Sequence, residues 1–183
     1  PIESRWSGLN PFTLSFSDTQ PHELRIEYSH ETPLFGAGLS FNWKPPVEIV
    51  REEAVAIAKQ ADVAVVFVGL SPELEGEEMP VHVAGFNGGD RTAIELPAVQ
   101  RQLLEAVAAT GKPVVVVLMN GSALAVKWAK EHAAAVLEAW YPGEEGGTAI
   151  ANTRAGDNIP AGRLTVTFYA GTDQLPSFDD YTM

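Results

Sequence analysis

Residues 63–68 and 114–118 are apolar at every position, Val63, Ala64, Val65, Val66, Phe67 and Val68 in the first run and four valines followed by Leu118 in the second. A strand with one wet face alternates polar and apolar residues. A strand without alternation needs cover on both faces, as in a parallel sheet flanked by helices. The residues around these runs carry helical spacing instead. Val47, Val50, Ala54, Ile57 and Ala58 share one helical face, and Val99, Leu103 and Val107 recur at every fourth position behind Pro97, a good first residue of a helix. Gly111 stops that second helix, Ser122 is placed to cap a third running through Lys130, and further strands are expected over 133–140 and 162–168. The fold class that follows is α/β: a three-layer sandwich with a mostly parallel sheet flanked by helices and right-handed crossovers.

Ahead of Pro45 and Pro46 the pattern changes. Residues 12–16 and 23–28 alternate apolar with polar, and Gly36 and Gly38 mark a turn before 39–43, which predicts a small N-terminal antiparallel β segment. About forty residues in short strands make little core, so this segment leans on another domain or is incomplete. The expected organisation is 1–44 as the β segment, 45–170 as the α/β domain and 171–183 as a tail.

With 183 residues, 45% of them hydrophobic, the chain buries one sizeable core. Its net charge is −12 without a basic stripe, which makes nucleic acid and anionic membrane poor partners. The absence of cysteine removes disulfides, thiolate catalysis and zinc–thiolate sites and leaves the compartment open, secreted, periplasmic or cytosolic. The chain opens at Pro1 rather than Met, as a processed or excised segment would, and shows neither a signal peptide nor an apolar run of about eighteen residues. His22, His30, His82 and His132 are too far apart for a His-Glu-x-x-His site, no dinucleotide fingerprint follows the first strand, and no Gly-x-Ser-x-Gly elbow accompanies Ser71 or Ser122. The expectation is no metal and no cofactor. Four tryptophans and four tyrosines suit stacking on sugar rings, although most such aromatics serve a core.

Parallel sheets bind ligands at the carboxyl ends of their strands. Those ends fall at 69–79, 120–122 and 140–147, and the first holds Glu73, Glu75, Glu77 and Glu78, with Gly88, Gly89, Asp90 and Arg91 behind it. Asp90 and Arg91 are expected to pin this acidic loop to the sheet, since a surface ion pair alone is worth little. Asn120 either makes a turn or donates to a hydroxyl, the turn being the commoner role. Gly143, Gly146 and Gly147 permit close packing at a helix start in preference to an anion site.

Taken in order, the motifs carry a family resemblance. Glu75-Gly76, Gly89-Asp90-Arg91, Leu96-Pro97-x-x-Gln100, Gly111-Lys112-Pro113, Asn120-Gly121-Ser122, the stretch from Trp140, Tyr141 and Pro142 to Gly146 and Gly147, and Gly156-Asp157-x-x-Pro160-x-Gly162-Arg163-Leu164 together resemble the C-terminal α/β sandwich domain of glycoside hydrolase family 3 over residues 47–170. Members are retaining, exo-acting β-glucosidases and β-xylosidases, so the resemblance implies a β-linked oligosaccharide or aryl glycoside as substrate. A further resemblance links Arg5-Trp6-Ser7-Gly8, and residues 21–28 and 40–43, to the two ends of a β-sandwich insert named after anthrax protective antigen. That insert is several times longer when complete, which implies that its middle is missing.

Retaining hydrolysis uses two carboxylates about 5 to 5.5 Å apart, a nucleophile and an acid/base. In the family the nucleophilic Asp lies on a (β/α)8 barrel outside this stretch, and the acid/base follows the first strand of the α/β domain. The resemblance puts the acid/base on Glu75, with Glu73 and Glu77 as alternatives if the alignment slips, and offers Asn120, Trp140 and Tyr141 for binding substrate. Crowding by Glu73, Glu77 and Glu78 is expected to raise the Glu75 pKa through like-charge repulsion. Arg154, Ile159, Thr165 and Thr167 depart from the family pattern and are expected to loosen the last strand. An apolar face left where the barrel docks would favour a homo-oligomer. Two functions stay open. In one, the chain is the acid/base-bearing part of a β-glycosidase, active with its barrel or weakly through a carboxylate pair within the acidic loop. In the other, it is a non-catalytic carbohydrate-binding or assembly domain.

Overall fold

The structure, a computed structural model, describes residues 20–25, 27, 45–76, 81–177 and 179–182. The chain divides into two units, Pro1–Trp43 and Lys44–Met183. In the first, the described residues are exposed, and Arg25 pairs with Glu27. The strands expected at 12–16 and 39–43, all of 28–44, and residues 5–8 and 40–43 of the anthrax-type insert lie outside the described residues; of the strand expected at 23–28, the described residues 23–25 and 27 form no strand.

In the second unit the two apolar runs become neighbouring strands. Strand β1 (Ala64–Gly69) pairs in parallel with the later run, Val114–Met119, in the register Ala64↔Val114 to Gly69↔Met119. Two short strands intervene in sequence, β2 (Phe86–Asn87) and β3 (Asp90–Arg91), so the central strand is β4 and its outer neighbour is β5 (Ala135–Glu138), again parallel, from Val115↔Ala135 to Leu118↔Glu138. The sheet order is β1-β4-β5. As the middle strand, β4 is covered most completely: Val114, Val116, Val117 and Leu118 are all buried, as a run without alternation requires. The antiparallel element in this unit is the β2–β3 pair, which turns through Gly88 and Gly89, both at positive φ.

Helices fill the connections. Helix α1 (Val47–Gln60) begins behind Pro45 and Pro46, α2 (Ala98–Ala108) begins behind Pro97, and Gly111, at φ 77°, turns the chain from α2 towards β4. Leu104 and Val107 of α2 pack into the core with Ala58, Val68, Val116 and Leu118. The buried side of α1 differs from the expected one. Ala58 is buried and Ala54 and Val55 partly so, whereas Val47, Val50 and Ile57 are exposed, Ile57 by 70%. An apolar stripe identifies a helix but does not fix which part of a broad stripe meets its neighbour.

Two expectations fail in the second half. The third helix, α3 (Lys127–His132), starts five residues beyond Ser122, and Ser122 does not cap it. The strand expected at 162–168 does not form, and Leu164 and Val166 are exposed. Arg163 donates its guanidinium to the carbonyls of Ala161 (3.0 Å) and Gly162 (2.9 Å), and among the described residues β5 is the last strand of the sheet. Helix α4 (Gly146–Ala155) starts at one of the glycines marked for close packing. A Cβ on Gly146 would stand 2.3 Å from Cβ of Pro142.

The mouth of β1 is clamped from α2. Gln100 accepts from the Gly69 N–H at 2.7 Å and donates to the Gly69 carbonyl at 2.8 Å, filling both backbone positions at the strand end. Gln100→Leu leaves the two groups unpaired and is expected to lower unfolding free energy in urea by about 2 kcal/mol. An unchanged midpoint would show that water replaces the amide.

Candidate active site

Each parallel strand ends on the same edge, and the loops beyond β1, β4 and β5 meet there. Past β1, Leu70 N–H still bonds Met119 O at 2.8 Å, and a turn follows in which Leu74 and Glu75 both donate to the Ser71 carbonyl. Leu74 packs against the core, so the turn presents the neighbouring Glu75 to the other two loops.

Glu75 is met by four groups. Ser122 and Tyr141 hydroxyls donate one to each carboxylate oxygen, and Gly121 N–H donates to Oε2 at 2.9 Å. Arg91 Nη1 lies 3.9 Å from Oε1. Burial pushes the Glu75 carboxyl up, but the Ser122 and Tyr141 hydroxyls, the Gly121 amide and the Arg91 charge outweigh it and hold the group below its ordinary value. The expected rise from crowding is therefore reversed. Glu73 is fully exposed and drawn down by the Ser71 hydroxyl, while Glu77 and Glu78 lie outside the described residues. Donors aimed at the carboxylate decide its state in place of like charges.

Arg91 ties the hairpin to this point. Its Nε donates to Ala93 O (2.9 Å), its Nη1 to Ser122 Oγ (2.7 Å), and the guanidinium lies 5.5 Å from the Phe86 ring centroid. Burial lowers the Arg91 pKa against the pull of Glu75 and Glu95, and the guanidinium stays charged. Asp90 is exposed beside it, paired across the hairpin with Asn87.

Asn120 is fully buried and donates to Ser122 O at 2.8 Å, so it shapes the turn that carries Gly121 and Ser122 to Glu75. Its Nδ2 also lies 3.5 Å from Glu138 Oε2. Glu138 in turn accepts the Trp140 N–H at 3.0 Å. Burial raises the Glu138 pKa, with the Trp140 amide and Asn120 opposing. Trp140 sits at φ 55°, a left-handed value for a non-glycine residue, and its ring meets Phe168 edge-on at 5.9 Å. The bend aims the next residue, Tyr141, back at Glu75. Burial and the Glu75 carboxylate both push the Tyr141 phenol up, so it remains a protonated donor.

Of the residues drawn from sequence, Glu75, Arg91 and Tyr141 come together, Asn120 lies beneath them, and Trp140 turns to Phe168. Other contributors carry little signal along the chain: Ser122 fits the pattern of a helix cap, Gly121 that of a turn, Gln100 belongs to a motif that gives it no role, and Glu138 is marked only as the one acid in an apolar strand.

The model of the glycosyl hydrolase family 3 C-terminal domain matches residues 7–183. The chain belongs to this family. Among curated relatives of this family 3 domain, a xylan 1,4-β-xylosidase of Xylanibacter ruminicola is 46% identical over 149 residues, 81% of this chain and 17% of that protein. A periplasmic β-glucosidase of Salmonella typhimurium is 43% identical over 69% of the chain and 15% of its own length. A crystal structure of a β-glucosidase from Listeria innocua in complex with gluconolactone superposes with a TM-score of 0.61 at 33% identity, over 75% of this chain and 18% of that one. The family 3 domain thus spans about a sixth of the length of the relatives it matches.

Proposed function

We propose that this domain supplies the acid/base carboxylate, Glu75, of a retaining, exo-acting β-glycosidase of β-glucosidase or β-xylosidase type, with the nucleophile carried on the family's barrel domain. One observation carries the reading: Glu75, in the Glu75-Gly76 pair after β1, is the point on which the loops beyond all three parallel strands converge. Glycosylation takes a proton from Glu75 to the leaving oxygen while the nucleophile bonds to the anomeric carbon. Deglycosylation returns a proton to Glu75 from the attacking water. Glu73 and Glu77 are the assignments to test if Glu75 fails. Of the three residues offered for the sugar, Tyr141 is the one both exposed and beside Glu75, while Asn120 acts from underneath. The relatives' names point to xylosides and glucosides as the first substrates to try.

The experiment joins this chain to a family 3 barrel and follows an aryl β-xyloside and an aryl β-glucoside by proton NMR. Turnover with the β anomer of the free sugar appearing first is expected. If the α anomer appears first, the retaining mechanism is wrong. A second reading draws on the ionised state of Glu75, whose donors already satisfy it: the domain binds sugar without chemistry. Saturable sugar binding by the joined chain with no turnover on either glycoside would establish that reading.

A further inference from the structure

The four groups around Glu75 are not equivalent. Gly121 N–H and the Arg91 guanidinium can only donate, whereas the Ser122 and Tyr141 hydroxyls donate to a carboxylate and accept from a carboxylic acid. A residue that serves first as acid and then as base changes its own hydrogen-bonding sense at each step. Ser122 is less free to follow, because its oxygen already accepts from Arg91 Nη1 at 2.7 Å. Tyr141 stands on a loop end of its own.

Two independent features of the chain are arranged around that tyrosine. Gly121 gives it room, since a Cβ there would lie 2.7 Å from Tyr141 Cε2 and 3.3 Å from Glu75 Oε2. Trp140 is held at positive φ, a strained conformation for a non-glycine residue, with its N–H on Glu138, and the resulting bend turns Tyr141 inward. Strain of this kind persists where the surroundings impose it. The charged and titratable groups acting on the Glu75–Tyr141 pair, among the described residues, are Arg91 from the hairpin and Glu73 from the loop after β1.

The geometry points to Tyr141 as a positioning residue for the acid/base: its hydroxyl holds Glu75 as the carboxylate that deglycosylation needs, and reverses or releases that bond when Glu75 carries the proton for glycosylation. The phenol proton is never transferred. This assignment rests on the reading of Glu75 as the acid/base. It gives Tyr141 a role distinct from sugar stacking, and it makes Gly121 a residue required for space.

The test is a carboxyl carbon-13 NMR titration of the 183-residue chain, with Glu75→Gln identifying the signal. A donor to a carboxylate favours its ionised form, so removing the donor raises the titration midpoint. Wild type should titrate below the ordinary glutamate range, and Tyr141→Phe should move the midpoint up by about one pH unit, roughly tenfold in proton affinity. Gly121→Ala, which keeps the phenol but crowds its ring, should move it in the same direction and serves if Tyr141→Phe does not fold. An unmoved midpoint in a folded variant overturns the assignment. In the chain joined to a barrel, the basic limb of kcat/KM should move up with Tyr141→Phe. If Glu75→Gln abolishes turnover while Tyr141→Phe leaves midpoint and limb in place, Tyr141 alone is misassigned. Full turnover by Glu75→Gln instead overturns the acid/base reading on which both rest.

Discussion

Glu75→Gln, in the chain joined to a family 3 barrel, is expected to lower kcat/KM on an alkyl β-glycoside by about 10² to 10⁴, the usual contribution of general acid–base catalysis. An alkoxide leaves poorly without a proton, and an amide cannot deliver one. The same substitution should cost far less in the first step on an aryl glycoside whose phenol is strongly acidic, because that group departs as an anion. The contrast between the two substrates separates lost acid catalysis from a distorted site, which would slow both alike. Glutamine keeps one acceptor oxygen for Tyr141 and Gly121 and turns its amide N–H toward the Ser122 oxygen, so the surrounding loops have reason to stay in place. Equal losses on the two substrates would sink the assignment and send the search to Glu73 and Glu77.

Gly69→Ala should be the most damaging single methyl in the α/β unit. Gly69 lies at φ 150°, and a Cβ there would stand 1.8 Å from the carbonyl oxygen of Met119 and 2.6 Å from its carbon. Those atoms are backbone of β4, the central strand, and cannot yield as the end of a flexible side chain could. The strand pair must part, or Gly69 must leave the clamp of Gln100. A loss of about 4 kcal/mol or more is expected, a large share of the stability of an ordinary domain. Urea unfolding followed by circular dichroism measures it, and a loss below about 1 kcal/mol would show that the strand end repositions freely. Because Glu75 sits on the turn that starts two residues later, the variant should also lose the low titration midpoint of that carboxyl.

The main elements were legible in the sequence because their signals are local. A strand covered on both faces has to be apolar throughout, as 114–118 is; 63–68 carries the same signal although Val63 and Phe67 are exposed, and Pro97 and Gly111 bound α2 through their own backbone restrictions. Less local features were misread. Residues 162–168 alternate as a strand does, but nothing along the chain says whether a neighbouring strand lies beside them to pair with, and among the described residues none does. Ser122 satisfied the rule for a helix cap, and only the arrival of Glu75, 47 positions away in sequence, gives its hydroxyl a stronger partner.

By itself, the sequence determined the α/β class, the alternation of helices with the three parallel strands, and the family, since apolar periodicity, turn residues and ordered motifs all act over a few residues. It also marked Glu75 as the acid to examine. Only the tertiary structure decided the state of that acid. Counting neighbours along the chain put like charges around Glu75, whereas packing brings Ser122, Tyr141, Gly121 and Arg91 to it from distant loops. A carboxylate's proton affinity depends on what lies within a few ångströms in space, and three converging strand ends set that here.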